Sequence, residues 1–231
     1  MNSFQLSLLR AYNEIEVLVS KLRERFKAIR KVEEMLGIHQ EAPRDLCFID
    51  VETTGPVLGL HEIIELAAIR TDTTGEIKKN WCRRIKPRFP GRAVPEATRL
   101  NGFSERGWAA AEEPNKALWE EFGKVVRNCV AICQNPSFDR GFITLAAQKY
   151  GVEFGIDYHW IGTESLAWPL FAFKEIPDVR LESICKYFNI PIEPRPHGAL
   201  RGAQTHLAVY RALMAYYNRP EMRTAAELSE K

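Results

Sequence analysis

Phe48-Ile49-Asp50-Val51-Glu52-Thr53-Thr54-Gly55 is the stretch from which the organisation of this 231-residue chain follows. Leu46 to Val51 is an apolar run of the length expected of a buried strand. Within it Asp50 and Glu52 stand two residues apart, so their side chains leave the same face while Val51 points to the other. Two carboxylates a few ångström apart repel each other unless a cation lies between them. At a strand end, ahead of a Thr-Thr-Gly turn, such a pair suits Mg²⁺ or Mn²⁺, hard ions that take oxygen ligands and keep bound water. Taken alone, Asp-x-Glu reads better as a solvated pair; the apolar run leading into it favours the chemical reading.

Working outward, Ile63 to Arg70 and Ile77 to Ile85 read as two further strands, with Thr73-Thr74-Gly75 turning between them. Three consecutive strands with short connections imply an antiparallel meander. Pro87 to Pro95 is loop, followed by a short helix, and Pro114 to Val126 is a full helix. A short strand, Val130 to Cys133, precedes a helical pattern from Phe138 to Tyr150. A strand at Tyr158 to Ile161 and helices over Thr163 to Phe171, Leu181 to Phe188 and Gly198 to Tyr217 complete the core. Meander first, then alternating helix and strand, is the order of a ribonuclease H-like α/β fold, a mixed sheet flanked by helices.

Two more places carry chemistry. Asp139, in Gln134-Asn135-Pro136-Ser137-Phe138-Asp139, falls in the first turn of a helix, where a carboxylate also complements the helix dipole. Standing alone it would read as an ordinary helix-start aspartate. His197 lies just before the last helix, behind Pro194 and Pro196. Beside a metal, an imidazole titrating near neutrality is the natural acceptor of a proton from attacking water.

The three blocks together, Phe48 to Gly55, Asn135 to Asp139, and His197-x-Ala199 with Ala203, resemble the DEDDh family of 3′-to-5′ exonucleases over about residues 44 to 217. Glu62-Ile63-Ile64-Glu65, Ile85-x-Pro87 and Asn101-Gly102-Phe103 add to the likeness. The resemblance implies a two-metal site for Mg²⁺ or Mn²⁺ in which Asp50 bridges the ions, Glu52 holds the first, Asp139 supports the second and His197 deprotonates water. It also implies that Thr53 and Phe103 meet the terminal nucleotides of a single-stranded DNA or RNA 3′ end, Phe103 by stacking unless it is plain core. One position departs from the family. Gly202 stands where relatives have a fourth acidic ligand, and glycine cannot ligate. The expected function is therefore a 3′-to-5′ exonuclease with a weakened first metal site. The alternative is an inactive pseudo-nuclease that binds nucleic acid or a protein. Gln134, in place of a common family histidine, is a milder change.

The rest of the chain frames this reading. Hydrophobic residues at 45% and charged residues at 27% are ordinary for a globular protein, with no run of the ~18 apolar residues that a bilayer span needs. Membrane association is not expected. The N-terminus lacks a secretory pattern, and the five cysteines lack paired spacing, so reduced core thiols and a cytoplasmic location are expected. With 32 basic against 30 acidic residues, the net charge of +2 does not announce nucleic acid. Phosphate contacts would have to come from a local cluster such as Arg83, Arg84, Lys86, Arg88 and Arg92, although a run of that kind is more often a solvated strand edge. Leu8, Tyr12, Ile15, Val19, Leu22, Phe26 and Ile29 alternate by four and three, the seam of a coiled-coil-like helix over residues 1–40. Through residues 8–36 that seam would serve a homodimer, a partner protein, or the helix's own domain. Residues 218–231 read as a polar tail.

Overall fold

The computed structural model describes residues 44–219, so the seam helix and most of the polar tail lie outside the described residues. One five-stranded sheet has the order β3-β2-β1-β4-β5. Its strands are β1 (Leu46–Thr53), β2 (Ile63–Thr71), β3 (Ile77–Arg84), β4 (Val130–Cys133) and β5 (Trp160–Gly162). The first three form the antiparallel meander, and β4 and β5 join in parallel on the other side of β1. This is the mixed sheet that the order of elements implied.

Local chemistry sets the connections. Between β2 and β3, the Asp72 carboxylate accepts the Thr74 and Glu76 N–H groups at 2.8 and 3.0 Å, and Gly75 takes a φ of 90° that favours glycine. A 3₁₀ turn (Pro90–Arg92) leads into α1 (Pro95–Asn101). Then come α2 (Lys116–Val126), α3 (Pro136–Tyr150), α4 (Thr163–Ala172), α5 (Leu181–Tyr187) and α6 (Ala199–Tyr217). Helix α3 starts two residues earlier than its apolar pattern suggested. The Asn135 side chain caps the Ser137 N–H at 3.2 Å, and Pro136 needs no donor at the first helical position. Strand β5 starts two residues later than expected, at Trp160, because Asp157 accepts the His159 N–H at 2.7 Å and turns the chain there, leaving Tyr158 exposed.

Strand β1 is covered on both faces. Cys47, Ile49 and Val51 pack with Trp119, Phe122, Phe142 and Ile143 from α2 and α3. Phe48 packs on the opposite face with Ala67, Ile69 and Ile132, under Ala199, Ala203 and Leu207 of α6. Two alanines at this contact let the α6 backbone approach the sheet closely. Asp50 and Glu52 continue the Phe48 parity, so they emerge on the face that α6 covers. Among the described residues, no helix is long and apolar enough to cross a membrane, and all five cysteines are free thiols, four of them buried.

Ala203 is fully buried between α6 and the sheet. Ala203→Leu is expected to lift the helix and destabilise the fold by about 1–3 kcal/mol. Urea denaturation measures this, and an unchanged midpoint would mean that the helix does not need close approach.

Candidate active site

The end of β1 is anchored from several sides. Thr54 N–H donates to Glu62 O at 2.9 Å, and Glu62 N–H returns a bond to Thr54 Oγ1 at 2.9 Å. Val94 N–H donates to Thr54 O at 2.8 Å, and Asn101 Nδ2 donates to Thr53 O at 2.9 Å. Gly55 is required by a close approach: a Cβ there would lie 2.6 Å from His61 Nε2. The Thr53 hydroxyl is buried and donates to Gly55 O at 2.8 Å, which braces the turn.

From this end opens a cleft of about 670 Å³. Asp50, Glu52, Thr53, His197, Gly202 and His206 are among the residues lining it. Asp139 is only 5% exposed and reaches the same region from the first turn of α3. The β1–β4 pairing ends at Phe48, and the Val51 backbone beyond it hydrogen-bonds Asp139, as does the Cys133 thiol. His197 is tied by its backbone N–H to Leu100 O at 2.8 Å, and its ring has no hydrogen-bond partner among the described residues.

Two acids outside the expected set complete the surroundings. Glu65 is the direct cross-strand partner of Glu52 on β2. It accepts the Ala199 N–H at 3.4 Å, while Glu193 accepts the Gly198 N–H at 2.9 Å. Both carboxylates thus serve the bare N-terminus of α6, whose first turn holds no acid of its own. The cross-strand pairing of Glu65 with Glu52 depends on register, which a motif does not show.

Crowding of carboxylates sets the electrostatics. Burial, followed by the charges of Asp139 and Glu52, pushes the Asp50 carboxyl well above its ordinary range. Burial, then Glu193, raises Glu52 to about 7 against an opposing hydrogen bond from Asn101. Burial raises Asp139 to about 7 as well. Among the described residues, no three acids, histidines or cysteines are drawn together tightly enough to hold an ion as they stand. By chemistry, however, the set fits a divalent cation: its ionised forms repel one another, its donors are hard oxygens, and a cation would relieve the repulsion.

Gly202 does more than lack a ligand. A Cβ at this position would stand 2.5 Å from Asp50 Cγ and closer still to Oδ2, so the Asp50 carboxylate occupies the space beside the helix that a side chain would fill. One turn further along α6, His206 is 1% exposed. Burial lowers its pKa to about 4, so the ring is neutral at pH 7. From sequence, His206 has no assigned role, and like Gln204 it could approach the site only if the helix register allowed it; its spacing of four from Gly202 puts both on one helix face.

Other expected residues are placed differently. Phe103 is 8% exposed and packs with Trp108 and Ile64, its ring 5.4 Å from that of Trp108, while Leu100 and Val94 form that part of the cleft wall. Gln134 is engaged in the scaffold, donating to Val179 O at 2.9 Å and accepting from the Thr163 hydroxyl. In the basic cluster, Arg83 pairs with Glu112 and Glu121, Arg84 with Glu65 and Lys86 with Glu113, as a solvated strand edge would. Arg195, which lines the cleft two residues before His197, was not singled out from sequence.

The class that this fold and site define is confirmed by comparison with known proteins. The RNase_T exonuclease family model matches residues 47–210. The chain therefore belongs to that exonuclease family, of the DEDDh type within the ribonuclease H-like superfamily. It is 30% identical over 171 residues to the PolC-type DNA polymerase III of Listeria welshimeri, covering 74% of this chain and 11% of that protein. The PolC-type polymerase of Halalkalibacterium halodurans is 30% identical over 144 residues, 62% of this chain and 10% of the relative. The chain thus spans about a tenth of the length of these relatives. Among solved structures, apo Exonuclease I has a TM-score of 0.65 at 18% identity, covering 75% of this chain and 42% of that one. Escherichia coli Exonuclease I in complex with a dT13 oligonucleotide gives 0.65 at 18% identity, covering 79% and 46%. At that identity the likeness is one of fold.

Carboxyls that ionise near pH 4 in the unfolded chain but only near 7 in the folded one leave the folded state holding more protons between those values. In EDTA, stability is therefore expected to fall as pH rises from about 4 to about 7 and to level off above that. Mn²⁺ should restore the loss at pH 8. Urea midpoints across this range test the expectation, and a midpoint that rises with pH in EDTA would contradict it.

Proposed function

We propose that this chain is a metal-dependent 3′-to-5′ exonuclease acting on single-stranded DNA or RNA ends. The observation that carries the reading is that Asp50, Glu52 and His197 line one cleft of about 670 Å³, with the buried Asp139 near enough for its charge to raise the Asp50 carboxyl. Asp50, Glu52 and Asp139 would hold the ions. When bound, Mg²⁺ or Mn²⁺ supplies Lewis-acid polarisation of the scissile phosphate and neutralises charge on the departing 3′ oxygen.

The protein groups do the rest. The His197 ring, without a hydrogen-bond partner among the described residues, takes the proton from attacking water. Arg195 meets a phosphate oxygen at the mouth of the cleft. Thr53, braced against Gly55, and the Leu100 and Val94 wall receive the terminal nucleotide. Apolar contact of this kind is tolerant of base identity. Phe103 contributes from the core, its N–H donating to Asn101 Oδ1 at 3.1 Å while Asn101 holds Thr53. Support for a single-stranded substrate comes from the dT13 complex of the Exonuclease I neighbour. A binding-only reading has one observation in its favour, the missing carboxylate at Gly202.

With a 5′-labelled DNA or RNA oligonucleotide and Mn²⁺ or Mg²⁺, the wild-type chain is expected to produce a ladder that shortens from the 3′ end. Asp50→Ala should abolish it, and His197→Ala should slow it by roughly 10²–10⁴-fold. Undiminished shortening by Asp50→Ala would sink the assignment. Binding by wild type without shortening would establish the binding module instead.

A further inference from the structure

Gly202 and His206 are four residues apart on α6, so they share one helix face, and both line the cleft. The His206 ring is held by a bond of 3.1 Å between Nδ1 and the carbonyl oxygen of Ile49 on β1. A carbonyl only accepts, so Nδ1 carries the proton and Nε2 presents a lone pair. That nitrogen lies 3.9 Å from Asp50 Oδ1. The separation is too long for a hydrogen bond. It lies within the reach of one shared ion, since with ligand bonds of about 2.1 Å two donors stand about 3.0 Å apart at adjacent octahedral positions and up to about 4.2 Å apart at opposite ones. Among the described residues no N–H or O–H donates to Nε2, and the ring lines the cleft.

We infer that His206 is a metal ligand, supplying through Nε2 the donor that Gly202 lacks and sharing with Asp50 a site of mixed nitrogen and oxygen character. The inference rests on the metal-dependent reading above. The two departures belong together. A side chain at 202 would displace the Asp50 carboxylate from the space beside α6, and the glycine leaves Asp50 on the side of the cleft that His206 faces. The Nδ1–H to backbone carbonyl bond is the orienting contact that ligating histidines commonly make, since it fixes both tautomer and ring plane. Glu52 and Asp139 remain as oxygen donors. Replacing a carboxylate by an imidazole also changes what the site selects. Nitrogen donors favour the later divalent ions over Mg²⁺, so the chain should discriminate in favour of Mn²⁺.

Calorimetric titration of the full chain at pH 7.5, with Mn²⁺ or Mg²⁺ and no nucleic acid, tests this without relying on turnover. His206→Asn is the informative variant, because its amide N–H can occupy the place of Nδ1 and only the Nε2 donor is lost. Wild type is expected to bind Mn²⁺ more tightly than Mg²⁺. The variant should lose tenfold or more in Mn²⁺ affinity and less than threefold for Mg²⁺. Mn²⁺ affinity in the variant within threefold of wild type would overturn the inference and leave the exonuclease reading standing. No Mn²⁺ binding by wild type would overturn both. Should the variant not fold, imidazole ¹⁵N spectra of the wild-type chain give the answer: addition of Zn²⁺ as a diamagnetic probe should shift the His206 Nε2 resonance. A resonance that stays in place would refute the ligand role.

Discussion

Repulsion among carboxylates at the end of β1 is the constraint around which the rest of the molecule is arranged. Asp50, Glu52 and Asp139 are brought together by strand pairing and helix placement, and each is held with its carboxyl raised above the ordinary range. A group of this kind costs stability in a folded chain unless protons or a cation offset it. The sheet pays that cost because β1 is locked on both faces by apolar packing, with Phe122 and Ile49 on one side and Phe48 and Ala203 on the other.

The same scaffold decides which groups are free to react. Glu65 and Glu193 lie near the cluster, yet both are drawn toward backbone N–H groups at the start of α6. His197 fixes its loop through its backbone N–H, and its ring has no hydrogen-bond partner among the described residues. The close approach of α6, allowed by Ala199 and Ala203, brings Gly202 against Asp50. Position 202 thereby becomes a matter of volume as well as of ligand count. Membership of the exonuclease family describes the shared frame, and Gly202 and His206 on α6 are the residues that this frame sets against Asp50.

Much of this was legible in the residues alone. The apolar run into Asp50-Val51-Glu52 specified a buried strand with both acids on one face, because side-chain parity along a strand is a local property. Helix α3 and its Asp139 were legible for the same reason, apart from the first turn, which Asn135 and Pro136 set by capping. The order of strands and helices implied the mixed sheet, since short connections force neighbouring strands to pair. What the tertiary structure decided is everything that depends on distance between segments remote in sequence. Phe103 lies in the core because Trp108 and Ile64 surround it, Glu65 faces Glu52 because of register, and His206 meets Asp50 because α6 packs on β1. Apart from Phe103 and Trp108, five residues apart, those contacts join residues 13 to 156 positions apart, and no periodicity within either segment encodes the separation at which they meet.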